Sequence, residues 1–133
     1  MKASDLQVGD LVTNNGEVIK VSAVHTKKIG YHKTKNKLNW LFSGQFEPIP
    51  LTPEILEKNG FNLDKFVKDY MRYDGIEERV IMHNDKERIN PNNEWFVLIN
   101  NEDYKTMMIC ELTYVHELQH ILRLCKIDKE IVV

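Results

Sequence analysis

Apolar positions recur along the chain with two different periods, and each change of period marks the border of an element. Over the first fifty residues the apolar runs are short and interrupted by turn signals. Val8 to Val12 leads through Asn14-Asn15-Gly16, a strong hairpin signal, into Glu17 to Val24. Residues 18, 19, 21 and 24 are apolar with imperfect alternation, as expected of a curled strand that changes which side it buries. Further strands are expected at Lys28 to His32 and, after the turn at Ser43-Gly44, around Gln45 to Ile49. Such a row of short curled strands predicts a β-rich portion resembling an SH3-like half-barrel.

Pro48 and Pro50 keep residues 47–51 extended and separate this portion from a helical one. Thr52 is a good N-cap, Pro53 suits the first helical position, and Gly60 can take the left-handed stop conformation. A short helix is therefore expected between them, with Leu51, Leu56 and Phe61 packing around its two ends. Leu63, Phe66, Val67, Tyr70 and Met71 at helical spacing predict a second helix over Asn62 to Tyr73. Strands are expected at Glu78 to His83, Glu94 to Ile99 and Tyr104 to Leu112, joined through Asn84-Asp85-Lys86, Asn90-Pro91-Asn92-Asn93 and Asn100-Asn101-Glu102-Asp103. Trp95 to Ile99 is apolar throughout, which predicts a strand buried on both sides. From Thr113 to Lys126 the helical period returns, with Tyr114, Val115, Leu118, Ile121, Leu122 and Cys125 on one stripe, and Lys129 to Val133 reads as a short terminal strand. The class is α+β, with short helices, an antiparallel sheet and a C-terminal helix. A length of 133 residues predicts one domain over 1–133, with a β-rich portion at 1–50 and an α+β portion at 51–133.

Composition changes this picture little. A formal charge of −2 gives no global attraction to nucleic acid or to an anionic membrane, so any such binding needs a local patch. The start carries no apolar signal-peptide run, and no apolar stretch is long enough to span a bilayer, so a cytoplasmic chain without membrane partners is expected. Cys110 and Cys125 form no CxxC and each lies in an apolar pattern, as buried free thiols do.

Candidate chemistry begins with His116-Glu117-Leu118-Gln119-His120, the HExxH spacing by which a helix presents two imidazoles to zinc. At about 100° per residue, His116 and His120 project roughly 160° from the centre of the apolar stripe, beside Arg123, towards solvent. A catalytic zinc needs a third ligand and a covered cleft. Position 126 is Lys, Glu130 on the far side of it falls in the expected terminal strand, and no spacing singles out His25, His32 or His83. A solvated helix face with no cofactor is therefore preferred to a zinc hydrolase in which Glu117 is the general base and His116 and His120 bind the metal.

A second candidate is the segment from residue 27 to residue 40. Lys27, Lys28, His32, Lys33, Lys35 and Lys37 surround Tyr31 and Trp40, the combination by which sheets and loops hold nucleic-acid backbone and stack on bases. The bland reading is a solvated lysine loop between strands. Tyr70, Tyr73 and His83 could line a pocket but read better as core, and Glu77-Glu78 as the flank of an element. There is no Gly-rich phosphate loop and no serine nucleophile elbow, and Cys125 on the buried stripe is a poor reactive thiol.

Three blocks of the chain resemble an uncharacterised family of short proteins from Bacteroides-type bacteria and their phages or mobile elements. They are Met1 to Val12 (MKASDLQVGDLV), Phe46 to Phe61 (FEPIPLTPEILEKNGF) and Tyr114 to Gln119 (YVHELQ), which take in both ends of the chain and the Pro-rich hinge. The family brings no established activity. Its last block is similar to Tyr-Val-His-x-Leu-Gln without a fixed Glu or a second His, so the full HExxH is not its pattern. The chain is therefore expected to be an accessory binding or interaction module whose partner is an unknown protein or small ligand. The candidate surfaces are Lys28, Tyr31, His32, Lys33 and Trp40 in the basic segment, and His116, Gln119, His120 and Arg123 on the polar face of the last helix.

Overall fold

The computed structural model describes residues 1–64, 70–75, 78–83, 94–100 and 106–133. The chain forms two compact units, one of Met1–Pro50 with Tyr114–His120, the other of Leu51–Thr113 with Ile121–Val133. The architecture is α+β, built mostly of antiparallel strands with a helix near the C-terminus.

In the first unit a 3-10 turn at Ala3–Asp5 precedes β1 (Leu11–Asn14), β2 (Glu17–Lys20), β3 (Ala23–Val24), β4 (Lys28–Thr34), β5 (Lys37–Phe42) and β6 (Glu47–Pro48). The β1–β2 hairpin turns at Asn15 (φ 50°) and Gly16 (φ 81°), both left-handed as a two-residue type I′ turn demands, and Asn14 pairs with Glu17 across it. Two three-stranded sheets result, ordered β2-β1-β6 and β3-β4-β5. Ala3, Leu6, Val12, Ile19, Val21, Ile29 and Phe46 form the core here, with Tyr31 and Leu41 packed against it. The lysine-rich segment is thus no loop. It is a β-hairpin, because Lys28 to Thr34 and Lys37 to Phe42 pair residue for residue with a bulge between His32 and Thr34.

In the second unit α1 (Pro53–Lys58) follows the local signals closely. Thr52 Oγ1 accepts from Ile55 N at 3.2 Å, and Gly60 (φ 85°) ends the helix with Phe61 N donating to Leu56 O and Gly60 N to Glu57 O. Leu51, Leu56 and Phe61 are fully buried around it. The sheet that follows runs β11-β10-β9-β8-β7, from β7 (Asn62–Leu63), β8 (Tyr70–Asp74), β9 (Arg79–His83), β10 (Trp95–Asn100) and β11 (Thr106–Leu112). The helix expected over Asn62 to Tyr73 is replaced at both ends by strands, and positions 65–69 lie outside the described residues. Met71 and Tyr73 satisfy alternation as well as helical spacing, and pairing with Met82 and Val80 of β9 decides between the two. Glu77, Tyr104 and the connections expected at 84–86, 90–93 and 101–103 also lie outside the described residues.

β10 is not buried on both sides. Trp95, Val97 and Ile99 are buried while Phe96 is 44% exposed, the alternation of an antiparallel sheet with one packed face. Trp95 Nε1 donates to Leu51 O within this unit. No strand forms at 129–133. Asn59, itself buried, holds that tail instead, donating to Val132 O and accepting from Val132 N. The last helix, α2 (Val115–Leu124), gives its first half to one unit and its second half to the other. Among the described residues no helix is long and apolar enough to cross a membrane.

Candidate functional site

The first unit carries two arrangements of interest, and the HExxH residues make the first. Tyr114 is the residue before α2, and its amide donates to Glu117 Oε1 at 3.0 Å. Glu117 sits three positions in, where a carboxylate that reaches back to the cap stabilises the helix start. Against the helical wheel, the two histidines do not project freely into solvent. His116 is 6% and Gln119 7% exposed, while the His120 side chain is 25% exposed. The physical reason is a second set of partners for the polar face. Gln119 Oε1 accepts from Leu11 N at 2.9 Å and its Nε2 donates to Gly9 O at 3.0 Å. His120 Nε2 donates to Asp10 Oδ2 at 2.5 Å, and Asp10, fully buried, also accepts from Gln7 N. Arg123 is exposed, as the wheel suggests.

His116 stacks on Tyr114 with ring centroids 5.9 Å apart and meets His120 edge to face at 5.6 Å. Its Nδ1 is buried and, among the described residues, has no hydrogen-bond partner. Burial lowers its pKa from the usual imidazole value, against the pull of the nearby Glu117 and Asp10 carboxylates. Met1, Asp5, Pro48, Tyr114, His116, Glu117 and His120 line an open cleft of about 480 Å³ beside these rings. Among the described residues no group of three or more His, Cys, Asp or Glu side chains is placed to hold a metal ion.

A pH dependence follows from His116. The folded protein favours the neutral ring, so the unfolded chain takes up the proton first, and this group removes stability as pH falls below 6.5. Urea unfolding at pH 7.5 and 5.5 should show a smaller loss on acidification for His116→Gln than for the parent. Equal losses would mean that the imidazole is as easily protonated folded as unfolded.

The second arrangement is the β3-β4-β5 sheet. Residues paired across antiparallel strands share a face. The register places Lys28 opposite Phe42, Gly30 opposite Trp40 and His32 opposite Leu38 on one face, and Ile29 opposite Leu41 and Tyr31 opposite Asn39 on the other. Ile29, Tyr31 and Leu41 turn inward to the core. Leu38, Trp40 and Phe42 turn outward, 37%, 41% and 56% exposed, and Lys28 Nζ lies 4.6 Å from the centre of the Trp40 ring. Gly30 makes room for this surface. A Cβ there would lie 3.1 Å from Leu38 Cδ1 and 3.2 Å from Ala23 Cβ.

Of the residues singled out from sequence, Lys28, His32 and Trp40 therefore share one face with Lys33 beside them on β4, whereas Tyr31 belongs to the opposite face. Leu38, Phe42 and Asp10 were missed. The period-two run Leu38-x-Trp40-x-Phe42 was the available signal for the first two. Nothing in sequence spacing ties Asp10 to His120. The chain matches no family model, no curated protein and no solved structure.

Proposed function

We propose that this protein is an accessory binding module whose working surface is the outer face of the β3-β5 sheet. The observation that carries this reading is the exposed row Leu38, Trp40 and Phe42, aligned by register on a face that also bears Lys28 and His32. Scattered exposed apolar residues need no explanation, but three in line on one strand form a patch of the kind that partners cover. The two faces divide the labour within one strand, Leu41 holding the core while its neighbours do not. On this reading the chain belongs with the short proteins of Bacteroides-type bacteria and their mobile elements, works in the cytoplasm, and uses an SH3-like half-barrel as its N-terminal scaffold. A zinc hydrolase has less support, because Asp10 engages His120 and Glu117 engages the Tyr114 amide.

The reading requires that the outer row be dispensable for folding. The Trp40→Ala/Phe42→Ala double variant should lose no more than about 1 kcal/mol, the scale of exposed cross-strand pairs. A loss near 3–5 kcal/mol, typical of a buried aromatic side chain, would make the row structural and end the proposal; urea unfolding distinguishes the two.

A further inference from the structure

Resting on that reading of the outer face, we infer that its occupant is a single strand of nucleic acid, with bases stacked on Trp40 and Phe42 and phosphates met by the hairpin lysines. Alternate side chains on a strand stand about 7 Å apart, so Trp40 and Phe42 offer two separate ring surfaces along one line. Around them, residues 27–42 hold five lysines, one histidine and no carboxylate in a chain whose net charge is −2. The positive charge is therefore gathered on the element that exposes the aromatic rings, and Lys28 already lies against the Trp40 ring.

Cations flanking exposed aromatic faces on a sheet match a ligand that carries both phosphates and flat rings. An acidic peptide would satisfy the lysines and leave the rings unstacked. An anionic bilayer calls for apolar residues at a protruding tip, yet the tip between Thr34 and Lys37 is Lys35-Asn36, and the apolar row lies back along β5. A duplex keeps its base faces within its own stack.

Quenching of tryptophan emission by mixed-sequence single strands of about twelve nucleotides, one DNA and one RNA, tests this directly. Trp95 is buried in the other unit and serves as background. At least one strand should quench saturably at low salt, and Phe42→Ala should weaken it at least about fivefold. Trp40→Ala, followed with a labelled strand, should do the same. Lys33→Glu/Lys35→Glu/Lys37→Glu, all at exposed positions, should weaken binding at least tenfold and flatten the plot of log affinity against log salt by about 2, at roughly 0.7 for each lost phosphate contact.

Binding of neither strand would overturn the inference. So would binding indifferent to Trp40→Ala, or equal binding of duplex, poly-glutamate or phosphatidylserine vesicles. If these variants fold and no strand binds, only the nucleic-acid assignment falls; if the Trp40→Ala/Phe42→Ala variant loses core-scale stability, the binding surface itself falls.

Discussion

Gln119→Ala should lower the unfolding free energy by about 2–4 kcal/mol, a large effect for one carboxamide. Gln119 acts towards Gly9 and Leu11 as a neighbouring strand would, offering an acceptor to one amide and a donor to one carbonyl. Truncation leaves both groups without this partner beside a side chain that is 7% exposed, and each buried polar group left unmade costs about 1–3 kcal/mol. Gln119→Glu keeps the acceptor for Leu11 but turns a second oxygen towards the Gly9 carbonyl, so it should fall at least as far. Urea unfolding midpoints at neutral pH read both. A loss below about 0.5 kcal/mol for alanine would mean that water takes over the two bonds.

Asp10→Ala should cost about 2–4 kcal/mol, through loss of charge-assisted hydrogen bonds in a fully buried place. One carboxylate oxygen accepts from the Gln7 amide and from His120, so a single side chain fixes both the turn before β1 and the end of the HExxH run. Asp10→Asn keeps an acceptor for Gln7 and should lose less. His120→Ala should also lose less, because Asp10 keeps the bond from the Gln7 amide and the vacated place, where the ring was 25% exposed, admits water. A double-mutant cycle between Asp10 and His120 should give a coupling of about 1–2 kcal/mol; strict additivity would show that the contact contributes nothing to stability.

What the sequence disclosed was its local grammar. Asn15-Gly16, Thr52-Pro53 and Gly60 each set the backbone through their own side chains or lack of one, and each sits where its chemistry implies. The apolar stripe from Tyr114 to Cys125 was legible too, with Val115, Leu118, Leu122 and Cys125 buried and Tyr114 and Ile121 partly so. The other side of that helix was not legible, because a wheel sorts residues by hydropathy and treats Gln and His as wet. Here their partners are a backbone amide and a carboxylate about 110 residues earlier in the chain, which no periodicity reports. At 70–74 two periods fitted the same letters, and only the pairing with β9 separates them. The candidate surface was half visible: the lysines and Trp40 stand out in the sequence, but only the register of β4 against β5 separates Tyr31 from Trp40 and adds Leu38 and Phe42.

β5 carries oily side chains towards both of its sides, and that has a cost in fidelity. Where one side is greasy and the other wet, sliding a strand by a single position is punished by exposure of the wrong set. For β5 the slide would merely exchange Leu41 for Trp40 and Phe42, so alternation offers little protection. Alignment then depends on the vacancy at Gly30, into which Leu38 leans, and on the irregularity after His32. A bulkier residue at position 30 would loosen that lock and leave the hairpin free to pair out of step.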